Sequence, residues 1–159
     1  MSSSGKSKIS TPKIRKASIV VVRTEWNGTI VDELFAGCKK ILDQKKINFY
    51  DLIVPGAFEI PFAIKKYWDV SKKLRPDAFI ALGCVIRGDT PHFEYVCRAV
   101  TDGILMLNCT LPVPSIFGIL TVDHLEQARE RIGGIHGHKG EEAADTALKM
   151  IQLSRLLQR

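Results

Sequence analysis

The feature that most constrains this chain is a regular alternation of short apolar, β-branched runs with longer segments of helical periodicity. ASIVVVR (residues 17–23), FYDLIV (49–54), DAFIALGCVI (77–86) and SIFGILT (115–121) are each followed by such a segment. Continuous apolar strands separated by helices imply a parallel sheet covered on both faces, with right-handed crossovers. After the first run, Thr29 or Asn27 can cap a helix in which Ile30, Leu34, Cys38 and Ile41 recur at helical spacing. Residues 58–70 form a second apolar-periodic stretch, with Pro61 early enough for a first turn. Thr90 as N-cap and Pro91 at the first helical position predict a helix to about Asn108. Asp123 predicts a cap for a helix to Ile132, broken by Gly133 and Gly134, and a last helix runs from Glu141 to about Leu157. The expectation is a three-layer α/β sandwich with a four-stranded parallel sheet in the order 2-1-3-4, the flavodoxin-like winding.

Composition sets the remaining bounds. At 159 residues, 45% hydrophobic and 25% charged, the chain suits one globular domain, read as residues 17–159. No apolar run reaches the roughly 20 residues a membrane span requires, and the polar N-terminus lacks the apolar stretch of a secretory signal. No membrane association and a cytoplasmic location are therefore expected. The net charge of +6 resides largely in residues 1–16, read as a flexible basic arm carrying Lys6, Lys8, Lys13, Arg15 and Lys16. Removing these five from the 23 basic residues leaves 18 against 17 acidic ones. The domain itself is nearly neutral, so no nucleic-acid partner is expected.

The four cysteines have no zinc-like spacing, and reduced thiols are expected. Cys38, Cys97 and Cys109 fall on apolar-patterned segments and are read as small core residues. Cys84 with His92 resembles a thiolate and its base, but Cys84 lies inside an apolar strand, where burial opposes thiolate formation. His136 and His138, in a glycine-rich turn without a carboxylate cluster, do not make a metal site.

Ligands of open α/β sheets bind beyond the carboxyl ends of the strands. The first strand runs into Thr24-Glu25-Trp26-Asn27-Gly28, the second into Pro55-Gly56-Ala57-Phe58-Glu59, and the third into Arg87-Gly88-Asp89-Thr90-Pro91-His92. The third segment combines a glycine with a helix start, an arrangement that favours an anion. His92 in the first turn is a natural proton shuttle. On spacing alone, the same residues equally describe a helix cap with an exposed histidine. Trp26 suits stacking on a planar ring or a lid over the sheet edge. Glu59 suits hydrogen bonds from ligand hydroxyls or a favourable place near a helix start. Arg131 and Lys139 can hold a phosphate and a carbonyl oxygen, or form a solvated helix end.

VPGAFEIP (54–61), ALGCVIRGDTPHFEYV (81–96), PSIFGILT (114–121) with EQARER (126–131), and HKG around Lys139 together resemble the 6,7-dimethyl-8-ribityllumazine synthase family of riboflavin biosynthesis. The resemblance covers essentially all of residues 17–158. It implies a transferase that condenses 5-amino-6-(D-ribitylamino)uracil with L-3,4-dihydroxy-2-butanone 4-phosphate, releasing phosphate and water, with no cofactor and no metal. It implies stacking of the pyrimidine on Trp26, and contacts to ribityl chain and pyrimidine from Ala57, Phe58, Glu59, Val85 and Ile86. Gly88, Asp89 and Thr90 would form the phosphate turn, His92 would transfer protons, and Arg131 would bind phosphate across a subunit boundary. Phe117 and Lys139 would come from the adjacent subunit of a homo-oligomer, a pentamer that in some members builds a 60-subunit capsid. Cys84 stands where some members have threonine.

Overall fold

The computed structural model describes residue 14 and residues 16–158. Most of the basic arm, residues 1–13 and 15, thus lies outside the described residues. The first apolar run forms β1 (Ser18–Thr24), followed by α1 (Gly28–Gln44), β2 (Asn48–Val54), a 3-10 turn (Ala57–Glu59) and α2 (Ile60–Val70). The chain continues through β3 (Ala78–Ile86), α3 (His92–Thr110), β4 (Ser115–Val122) and α4 (Leu125–Arg129). It ends with the small strands β5 (Ile132–Gly134) and β6 (Gly137–His138) and the helix α5 (Lys139–Leu157).

The order of the main sheet is β2-β1-β3-β4, with every pairing parallel, so the expected α/β architecture holds. Position in the sheet explains the strand patterns. β3 is central and buried from Ala78 to Cys84, whereas the edge strand β2 leaves Tyr50 and Ile53 exposed. Side chains alternate between two apolar layers. Ile19, Val21, Ile80 and Leu82 pack with Leu34, Leu42, Ala147 and Leu148 on the α1/α5 side. Val20, Val22, Phe79 and Ala81 pack with Ile60, Ile64, Val100 and Ile104 on the α2/α3 side. Each fully buried large side chain contributes roughly 1.5–3 kcal/mol, and the two layers hold the sheet rigid beneath the loops at its carboxyl edge.

Four expectations need correction. Cys109 is exposed and Cys97 half-buried, because the inward face of α3 follows Val100, Ile104 and Leu107. The helix predicted from Asp123 to Ile132 shrinks to Leu125–Arg129, with His124 at its cap position. The Asp123 carboxylate cannot cap it because Arg87 Nε donates to Oδ1 at 2.7 Å. Beyond it, residues expected as a glycine-broken loop form the antiparallel β5–β6 pair, with Gly133 and Gly137 at φ 114° and 79°. Those values favour glycine over any residue with a Cβ. α3 also begins one residue late, at His92, with Pro91 in the cap position and no side-chain cap.

Candidate active site

The loops leaving β1 and β2 are tied to each other, and the first is tied to β3. Glu25 and Trp26 donate their backbone N–H groups to the carbonyls of Val54 (2.8 Å) and Pro55 (3.1 Å), fastening the first loop to the second. The buried Thr24 hydroxyl donates to the Trp26 carbonyl at 3.1 Å. Asn27 then joins the first loop to β3, because its side-chain amide donates to the Cys84 carbonyl at 2.7 Å. Asn27 sits in the left-handed region, φ 57° and ψ 40°, which asparagine visits more readily than most residues with a Cβ. Asn27 thus occupies the cap position of α1, and the Asn-Gly pair after an apolar strand signals its left-handed backbone but not the distant partner of its amide.

This lacing brings Trp26, the 57–59 turn and the end of β3 to one edge. Trp26 and Phe58 are 75% and 63% exposed, far more than a packing role requires. Ala57 is buried in the α2/α3 layer and anchors the turn, while Glu59 remains exposed. Val85 and Ile86 close β3 half-buried. Gly88, Asp89, Thr90 and His92 are all exposed. A Cβ built on Gly88 meets nothing within 4 Å, so space is open directly above that backbone. The His92 N–H lies 3.4 Å from Thr90 Oγ1, a long contact that leaves the helix start available to another acceptor.

Arg87 dominates the electrostatics of the third loop. Its Nε donates to Asp123, its Nη1 donates to Glu94, and its guanidinium lies 4.2 Å from the centroid of the Phe93 ring. Hydrogen bonds to Asp123 and Glu94 raise the Arg87 pKa, and the bond from Arg87 is the main cause lowering that of Glu94. Burial pushes the Cys84 thiol up to about 11 and Cys38 to about 12. Neither is a thiolate near neutrality, and the Cys84–His92 dyad loses its nucleophile.

Of the other three proposed contacts, Phe117 lies well below this edge within one chain. Phe117 pairs in register with Ala81, whereas the carboxyl edge is marked by Ile86 opposite Val122. Five residues of strand separate the two levels, about 16 Å. Phe117 and Lys139 instead line an open groove of about 850 Å3 along β4 and α5, with Leu111, Val113, Met150 and Leu153. Arg131 belongs with Lys139, whose N–H donates to the Arg131 carbonyl at 2.8 Å. The Arg131 guanidinium donates to the Gln127 carbonyl at 2.7 Å, and Lys139 Nζ donates to Glu142 at 2.7 Å. Among the described residues no group of three or more His, Cys, Asp or Glu side chains is placed to hold a metal, and no helix is long and apolar enough to cross a membrane.

Residues 16–155 match the family model described as 6,7-dimethyl-8-ribityllumazine synthase. The chain is 44% identical to a protein of that name from Parabacteroides distasonis, with 91% of each chain covered. It is 45% identical to one from Porphyromonas gingivalis, covering 92% of this chain and 91% of the relative. A protein of the same name from Bdellovibrio bacteriovorus is 41% identical, covering 88% of this chain and 76% of the relative.

Proposed function

Because the chain belongs to the 6,7-dimethyl-8-ribityllumazine synthase family, we propose that it condenses 5-amino-6-(D-ribitylamino)uracil with L-3,4-dihydroxy-2-butanone 4-phosphate. The amine and the ketone form an imine with loss of water, the carbon–oxygen bond to phosphate breaks, and ring closure expels a second water. The observation that carries the reading is the lacing of the first two strand-end loops to each other and to the end of β3 around exposed Trp26 and Phe58, beside the open backbone of Gly88. Trp26 offers a flat face to the pyrimidine, and Ala57, Phe58, Glu59, Val85 and Ile86 line the path of the pyrimidine edge and ribityl chain. Gly88, Asp89 and Thr90 hold the phosphate at the start of α3. His92 moves protons during imine formation and elimination, which contributes about 10²–10⁴-fold. Juxtaposing two reactants supplies much of the rest.

Phe117, Arg131 and Lys139 complete the site from an adjacent copy, with Arg131 gripping phosphate and the others closing over the pyrimidine. The position of Phe117, five residues of strand below the carboxyl edge, supports a shared site, and with it a homo-oligomer built on a pentamer, the unit from which a 60-subunit capsid can form. The enzyme works in the cytoplasm, as residues 17–159 of one domain preceded by a basic arm, and requires no metal or organic cofactor. Incubating the purified protein with both precursors and following lumazine fluorescence together with phosphate release tests this. Equal yields of the two products are expected, and an absence of lumazine refutes it.

A further inference from the structure

Arg87 is a cation at the foot of the proposed phosphate turn, yet its charge is held by protein groups. Its backbone N–H donates to the Val122 carbonyl at 2.9 Å, and its side chain reaches Asp123, Glu94 and the Phe93 ring. One residue therefore joins the end of β3, the first turn of α3 and the segment leaving β4. Residues 88–91 form a loop that leaves Arg87 itself and whose far end is held by the Arg87 guanidinium through Glu94. We infer that Arg87 is a positioning residue that sets this loop, and with it His92 and the phosphate turn, against the strand ends. The inference rests on the roles proposed above for His92 and Gly88–Thr90.

Two observations favour positioning over anion binding. With Glu94 and Asp123 both on it, the cluster is formally one negative charge in excess, which does not draw in a phosphate. The loop also has little else to hold it. Gly88, Asp89 and Thr90 are exposed, and the side-chain contact between Thr90 and His92 is long and stays within the loop. Single exposed ion pairs restrain little, but a planar fork serving two carboxylates while stacked on an aromatic ring restrains direction as well as distance. A lysine ammonium reproduces the charge and not that geometry.

Steady-state kinetics of the assembled enzyme distinguish the roles, using Arg87→Ala, Arg87→Lys and the Glu94→Gln/Asp123→Asn double variant. Positioning requires kcat to fall about tenfold or more in all three, since small misplacements of reacting groups carry losses of this kind. The KM for the phosphorylated ketone should rise by a smaller factor than kcat falls, and alike in all three, because the phosphate turn shifts with His92 while no phosphate ligand is removed. Lysine should not rescue kcat. If Arg87 gripped phosphate, lysine would rescue, alanine would raise KM with little change in kcat, and the double variant would lower KM by freeing the guanidinium. That pattern overturns the inference, as do wild-type kinetics in Arg87→Ala. Should Arg87→Ala fail to assemble in sedimentation, Glu94→Gln keeps the Asp123 bond and carries the same test. An inactive wild type overturns the preceding reading and this one together, whereas an active wild type with unaltered variants overturns this one alone.

Discussion

Replacing Asn27 by alanine removes two supports at once. The residue occupies φ 57° and ψ 40°, and its amide bridges to the Cys84 carbonyl at 2.7 Å. Holding a residue with a Cβ in the left-handed region costs about 1–2 kcal/mol, part of which asparagine already bears, and a hydrogen bond of this type contributes about 1 kcal/mol net. Asn27→Ala should therefore destabilise the protein by about 1.5–2.5 kcal/mol. Asn27→Gly keeps the backbone freedom and loses the bridge, so it should cost only about 1–1.5 kcal/mol once the looser unfolded chain is included. Urea unfolding at one fixed protein concentration measures both. The same variants should raise the KM for the ribitylated pyrimidine more than that for the ketone phosphate, because Trp26 immediately precedes the lost bridge. Equal midpoints for the two variants, or an alanine variant within about 0.5 kcal/mol of wild type, would refute the reasoning.

Other outcomes follow from the same geometry. His92→Ala should slow turnover by about 10²–10⁴-fold without abolishing it, since reactant juxtaposition survives; single-turnover rates measure this. Arg131→Ala should mainly raise the KM for the ketone phosphate, and an unchanged value would reject the clamp role. Cys84→Ser should retain activity, because the thiol is raised to about 11 by burial and stays protonated well above neutral pH. In a thiol-labelling time course near pH 8, exposed Cys109 should react before Cys38 and Cys84, which are buried.

The layered architecture was legible because continuous apolar runs have few homes. β1 and β3 are covered on both faces and read as unbroken β-branched or apolar segments, and the strand order followed from alternation. What failed lies where polar residues have two competing partners. Asp123 reads as a helix cap, but an arginine 36 residues earlier takes its carboxylate. Cys109 sits in an apolar-looking helix, yet helical rotation turns it outward from Leu107. The short β5–β6 pair depends on left-handed glycines that a Gly-rich string cannot distinguish from an open loop. The candidate site was legible at the carboxyl edge because topology dictates which loops meet there. The bridging role of Asn27 and the clamp at Arg87 were hidden, since both rest on partners distant in sequence.

The central claim is that the strand-end loops of one copy work with Arg131 and Lys139 of another. Co-assembling His92→Ala and Arg131→Ala protomers in equal amounts tests it most directly. Random mixing at a shared interface leaves about a quarter of sites with both residues intact, so at ketone phosphate well below the KM of Arg131→Ala the mixture should recover roughly that fraction of the wild-type rate. A mixed assembly no more active than its two parents would contradict the account.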